Sequence, residues 1–123
     1  MVLVDTSVWV SYLRNGNVEL SNLLNDGEVI CYPFIIGELA CGNLKNRSEI
    51  LALLKLLPQV NTIEHEDALY FIENNDVMGK GLGYIDIHLA ASSLISDVPI
   101  WTLDKNLERV ANALKINYVP GCK

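Results

Sequence analysis

A chain of 123 residues, half of them hydrophobic and a fifth charged, has the size and the core-forming content of one compact domain, and this composition excludes an intrinsically disordered chain. Nine basic against fifteen acidic residues leave a net charge of −6, the wrong sign for unaided attraction to phosphate, so a nucleic-acid role has to account for this charge; bound cations that neutralise part of the acid and a basic protein partner for the bulk surface are the two explanations available. No apolar run reaches the ~20 residues of a membrane span, and the opening Met-Val-Leu-Val-Asp lacks the basic region of a signal peptide, so a cytoplasmic location is expected.

In chain order, Val2 to Val4 reads as a short strand, and Asp5-Thr6-Ser7 can cap a helix opening at Ser7 or Val8. That helix carries Trp9, Val10 and Leu13 and stops near Asn15-Gly16; a second short helix runs from Glu19 to Asn25 and ends at Asp26-Gly27. Val29 to Tyr32 is a second strand, and Pro33 starts a helix that continues with helical spacing from Phe34 to Cys41 until Gly42. Ser48, Leu51, Leu54 and Leu57 outline an amphipathic helix closed by Pro58, and Val60 to Ile63 is expected as a third strand. Glu64 to Asn75 reads as a helix with Leu69, Tyr70 and Ile72 inward, followed by a glycine-rich loop over Gly79 to Gly83. Ile85 to Ile95 is the most apolar helix, Val98 to Leu103 a strand, Leu107 to Leu114 a last helix and Ile116 to Val119 a last strand.

Helices alternating with short aliphatic strands imply an α/β three-layer sandwich, a mostly parallel central sheet flanked by helices, whose ligands gather at the carboxyl ends of the strands. Cys31, Cys41 and Cys122 are odd in number and far apart, as free thiols in a reducing compartment would be.

Against this frame four acids stand in unusual company. Asp5 is the sole charge from Met1 to Leu13, Glu38 from Val29 to Gly42, and Asp86 the sole formal charge from Leu82 to Ser96. Glu38 shares a helix face with Phe34, Cys41 and Gly42, which should be buried or line a cleft. Asp86 sits in the opening turn of the most apolar helix, where the helix dipole favours an anion. Asp104 follows Val-Pro-Ile-Trp-Thr-Leu, at the junction of a strand and a helix that it can also cap. An ionised carboxylate in apolar surroundings costs several kcal/mol, about the scale of a whole mutational defect, unless it is paired, protonated or metal-bound. No Lys or Arg occurs in the three segments around Asp5, Glu38 and Asp86, which leaves a cation as the simplest compensation. Oxygen-only donors select a hard ion, Mg²⁺ or Mn²⁺, over zinc.

The stretches holding these acids resemble the acidic motifs of PIN domains, and particularly the VapC toxins of toxin–antitoxin pairs: Val2-Leu-Val-Asp-Thr-Ser7, Ile36-Gly-Glu-Leu-Ala-Cys-Gly42, Tyr84-Ile-Asp-Ile-His-Leu-Ala-Ala-Ser92 and Trp101-Thr-Leu-Asp-Lys-Asn106. The order and spacing agree over nearly the whole chain. The resemblance implies Asp5, Glu38 and Asp86 as catalytic metal ligands, Asp104 as a fourth acid acting directly or through water, and Mg²⁺ or Mn²⁺ as cofactor. It implies a ribonuclease acting on RNA, a homodimer and a cognate VapB-like antitoxin. For Thr6 and Ser7 it suggests hydroxyls near the metal or the scissile phosphate; the competing expectation is that both cap the following helix.

Arg14, Lys45, Arg47 and Lys80 are candidates for flanking phosphates. His65 and His88 are expected to be structural, and Trp9 and Tyr12, three apart on one helix, to pack. Two other functions stay open. A receiver-like phospho-acceptor domain would place adjacent acids after the first strand, whereas this chain has Asp5-Thr6 there; an idle PIN domain would keep the acidic cleft as a docking module.

Overall fold

The computed structural model describes residues 1–121, so Cys122 lies outside the described residues. Three parallel strands form the sheet: β1 (Val2–Val4), β2 (Val29–Ile30) and β3 (Ile100–Trp101), in the order β2-β1-β3. Val2 is opposite Val29 on one side, and Val4 is opposite Trp101 on the other. Single parallel bridges, Cys31 to Gln59 and Ile100 to Asn117, extend the sheet at both edges. The strands expected over 60–63 and 116–119 are therefore not ladders. What remains of them is a few backbone bonds, such as Val60 N–H to the Cys31 carbonyl at 2.8 Å and Tyr118 N–H to the Ile100 carbonyl at 2.8 Å.

Among the described residues seven helices cover the sheet: α1 (Thr6–Asn15), α2 (Val18–Asn25), α3 (Pro33–Ala40), α4 (Arg47–Leu56), α5 (His65–Asn75), α6 (Tyr84–Ser96) and α7 (Lys105–Ala113). α1 packs on α3 and α3 on α4, while α5 and α7 both pack on α6. With right-handed crossovers between parallel strands, these pairs put α1 to α4 on one face and α5 to α7 on the other, the three layers anticipated above. No helix among the described residues is long and apolar enough to cross a membrane.

β1 is buried over its whole length, and its flanks in the core include Leu20, Tyr32, Ile35 and Leu89. α6 runs through the core with Ala90, Ala91, Ser92 and Ser93 all buried, because small side chains let its backbone lie close to the sheet and to α5 and α7. The register expected for α5 is wrong: Leu69 is 42% and Tyr70 69% exposed, and the helix buries Ala68 and Phe71 instead. Four consecutive apolar residues, 69 to 72, leave periodicity unable to choose a face. Trp9 and Tyr12 pack edge to face, 6.0 Å between centroids, as expected. Cys31 is fully buried, and burial pushes its thiol up to about 11, so it is an unreactive core residue.

Candidate functional site

The carboxyl ends of β1 and β3 bring the first and last acids together. Asp5 follows the central strand, donates its backbone N–H to the Trp101 carbonyl at 2.9 Å and caps α1, whose first residue is Thr6 rather than Ser7 or Val8. Its side chain is only 5% exposed, and no Lys or Arg among the described residues pairs with it. Hydroxyls compensate the charge: Ser7 Oγ donates to Oδ2 at 2.7 Å and Thr102 Oγ1 at 2.8 Å, with the Ser7 N–H more distant at 3.4 Å. Thr102 Oγ1 in turn accepts the Asp104 N–H at 3.0 Å, and Ser7 Oγ accepts the Leu103 N–H at 2.9 Å. A network of five residues, Asp5, Ser7, Thr102, Leu103 and Asp104, thus fixes the end of β1 against the end of β3.

Asp104 is exposed and caps α7 through Oδ1, which accepts the Leu107 N–H at 2.9 Å. Glu38 lies on α3 and is exposed, as are Phe34, Cys41 and Gly42 beside it. Of the two expectations for that face, burial or a cleft, the open cleft wall is the one observed, because α3 lays Ile35 and Leu39 against the core instead. Thr6 Oγ1 donates to Glu38 Oε1 at 2.7 Å and ties α3 to α1. Neither Thr6 nor Ser7 provides the α1 cap, which Asp5 supplies; both hydroxyls bond acids of the cluster.

Asp86 occupies the first turn of α6, where its Oδ2 accepts the Gly83 N–H at 3.1 Å. Its pKa lies above the ordinary carboxylate value. Burial is the largest cause; the Gly83 N–H opposes it, and the negative charges of Asp5, Asp104 and Glu38 raise it further. All four acids therefore share one electrostatic neighbourhood, although they come from α1, α3, α6 and α7 or their caps.

Each of the four binds protein donors through one oxygen, while its other oxygen accepts no hydrogen bond among the described residues. The one ion pair among those residues joins the N-terminal amine to Glu28, away from the cluster. Such a donor set, oxygen only and without a basic counter-ion, fits a hard divalent cation. No three acid side chains among the described residues stand close enough to enclose an ion by themselves. An ion that keeps several waters and takes one or two carboxylates directly, as Mg²⁺ does, suits the wider spacing.

The order of acids on these elements is the decisive observation, and it agrees with comparison: residues 2–113 match the PIN domain family. The chain belongs to the PIN-domain family. It is also similar to ribonuclease VapC32 of Mycobacterium tuberculosis, from strains CDC 1551 / Oshkosh and ATCC 25618 / H37Rv, at 40% identity over 109 residues that cover 88% of both chains. The PIN fold sets aside the receiver-like alternative, which needs paired acids after β1 where this chain has Asp5 and Thr6.

The remaining sequence candidates divide. Arg14 and Lys45 line a cavity of about 580 Å³ with Thr6 and Glu38, and so open onto the acid cluster. Arg47 instead donates twice to the Ala40 carbonyl, at 3.2 and 2.9 Å, and closes the turn between α3 and α4. His88 is buried with Nδ1 2.8 Å from the Tyr32 hydroxyl, and His65 Nδ1 lies 2.5 Å from the Tyr84 hydroxyl, so both join an aromatic cluster beside α6. Sequence reasoning missed Thr102. The available signal was a threonine near a strand end and two residues before an acid, a place where a hydroxyl bonds nearby backbone.

Proposed function

We propose that this chain is an Mg²⁺- or Mn²⁺-dependent endoribonuclease, and the toxin of a VapBC-type pair. The supporting observation is the convergence of Asp5, Glu38, Asp86 and Asp104 without a basic partner among the described residues. Asp5, Glu38 and Asp86 would hold the cation through their donor-free oxygens, and Asp104 would act directly or through water. When bound, the ion supplies Lewis-acid stabilisation of phosphate charge and activation of water.

The chain's own residues orient the acids. Ser7 and Thr102 fix Oδ2 of Asp5 and leave its Oδ1 free for the ion, while Thr6 anchors one oxygen of Glu38 and leaves the other to the ion. α6 presents Asp86 from its first turn, where the dipole steadies the ionised form against burial and the neighbouring acids. Asp104 keeps its cap on α7, so its free oxygen is held at a fixed height above the sheet edge. With water as the attacking group, the products carry a 5′ phosphate and a 3′ hydroxyl.

The VapC32 likeness supports the toxin role and a VapB-like antitoxin, and the net charge of −6 suits a basic antitoxin segment; a homodimer in a cytoplasmic setting belongs to the same proposal. The PIN match over 2–113 supports a single catalytic unit. Asp86→Asn tests the activity: cleavage of total RNA in Mg²⁺ or Mn²⁺, and growth arrest on induction, should fall by about a hundredfold or more, since a ligand of the ion is lost. Equal cleavage by both proteins would remove the assignment.

A further inference from the structure

We infer that the substrate strand leaves the acid cluster through a second cavity, of about 730 Å³, where Lys80 and Arg109 hold its phosphates. This inference rests on the ribonuclease reading. The cavity lies between the glycine-rich loop and α7, with Asn75, Asp76, Lys80, Asn106 and Arg109 at its polar edge over Val77 and Val110. Both of its walls lie close in the chain to a site acid. The loop wall ends at Gly81, two residues before Gly83, whose N–H holds Asp86 Oδ2 at 3.1 Å; the α7 wall starts at Asn106, two residues after the cap Asp104. A strand whose scissile phosphate sits among the acids can therefore run along either wall into the cavity without leaving protein surface.

Charge supports this occupant. The protein carries nine bases in all, and two of them face this cavity without an ion pair among the described residues. Arg109 is held in place by one neutral contact, its Nη1 donating to Asn106 Oδ1 at 3.2 Å, which leaves most of its guanidinium donors open. The loop comes close because Gly81 has no side chain. Its φ is +81°, and a Cβ there would lie 2.6 Å from Asn106 Nδ2. Gly79, with φ +72°, turns the chain on the other side of Lys80, so a pair of glycines presents that lysine at the rim. No aromatic ring lines the cavity, so its contacts go to phosphate and sugar and tolerate any sequence. Acidic Asp76 is the one residue in it that opposes RNA.

The test measures fluorescence anisotropy of a labelled uridine decanucleotide at low salt, with Ca²⁺ in place of Mg²⁺ to hold back cleavage. Joint Lys80→Ala and Arg109→Ala replacement should weaken binding about tenfold and lower the salt slope by about 1.4, the effect of two phosphate contacts on a single strand. Asp76→Asn, which keeps the left-handed backbone that Asp76 adopts at φ 54°, should tighten binding roughly twofold to threefold by removing a repelling charge. Lys55→Ala, on the outer surface of α4, removes a charge elsewhere and should leave affinity unchanged. If wild type cleaves RNA while the double variant binds and cleaves as wild type does, the exit path is wrong and the ribonuclease reading stands; the cavity then belongs to an acidic protein segment. If wild type binds RNA with this variant pattern but does not cleave it, the path stands and the activity fails. A wild type that binds no RNA overturns the path outright.

Discussion

Thr102 joins two acids that the sequence separates by almost a hundred positions: its buried hydroxyl donates to Asp5 at 2.8 Å and accepts from the Asp104 backbone at 3.0 Å. Replacing it with valine keeps the shape but leaves a buried carboxylate one donor short. That omission costs about 1–3 kcal/mol by the usual penalty for an unsatisfied polar group. Thr102→Val should show the loss in urea unfolding and a further drop in RNA cleavage, because Asp5 is no longer held in its orientation. Thr102→Ser retains the hydroxyl and should recover most of both. If Thr102→Val cleaves at the wild-type rate, the hydroxyl serves folding alone. Asp5, Glu38 and Asp86 were legible in the sequence, since each was the lone charge in an apolar stretch and burial makes such a charge costly; Asp104, with Lys105 beside it, was marked only by its place after a strand. Thr102 raised no such conflict, because a neutral hydroxyl just past a strand costs little, and its place two residues before Asp104 was the one signal it gave.

At the scale of elements, strong signals came from α6 and β1, whose apolar runs have no competing register, and both appear within a residue or two of expectation. The outer strands were overread. Each lies at a sheet edge with a neighbour on one side only, so a β-branched run there yields single bridges at Gln59 and Asn117 in place of a ladder. The cavity between the glycine loop and α7 was invisible for another reason: it depends on Gly81 approaching Asn106, a contact no local pattern encodes. Two predictions belong to this scale. α6 ends at Asp97 with φ 54°, a left-handed position that also sets a negative charge at the negative end of the helix dipole. Asp97→Gly should therefore stabilise the protein by about 0.5–1 kcal/mol in urea unfolding. The segment after α7 is tied to α2 by the Tyr118 hydroxyl, which donates to Glu19 Oε2. Burial, and then the Glu19 carboxylate, push the Tyr118 phenol from 10.0 up to about 12. The folded state therefore holds this proton more tightly than the unfolded chain does. The stabilisation is complete below pH 10.0 and is lost as pH rises toward about 12. Thermal melts of wild type and Tyr118→Phe across that range should show a shallower alkaline decline for the variant.

For the molecule as a whole, the net charge of −6 and the acid cluster make folding and cation binding one problem. Four carboxylates in one neighbourhood repel each other in the folded state and move apart on unfolding, so their repulsion subtracts from stability whenever no cation lies among them. An ion that binds the folded cluster and not the unfolded chain stabilises by mass action, about 2.7 kcal/mol at a hundredfold excess over its dissociation constant. For a chain of 123 residues, with unfolding entropy near 2.1 cal/mol/K per residue, that corresponds to a rise in Tm on the order of 10 °C. Mn²⁺ should produce this rise at lower concentration than Ca²⁺, because its smaller size and stronger bonds suit a site of few carboxylates. Asp86→Asn removes both a proposed ligand and a source of repulsion, so it should melt at or above wild type without metal and gain much less when Mn²⁺ is added. Calorimetry of the two proteins with and without Mn²⁺ separates this from a plain folding defect, which would lower the melting temperature of the variant in both conditions. A wild type whose Tm is indifferent to Mn²⁺ would mean that the acids meet no ion, and that the cluster serves a basic partner instead.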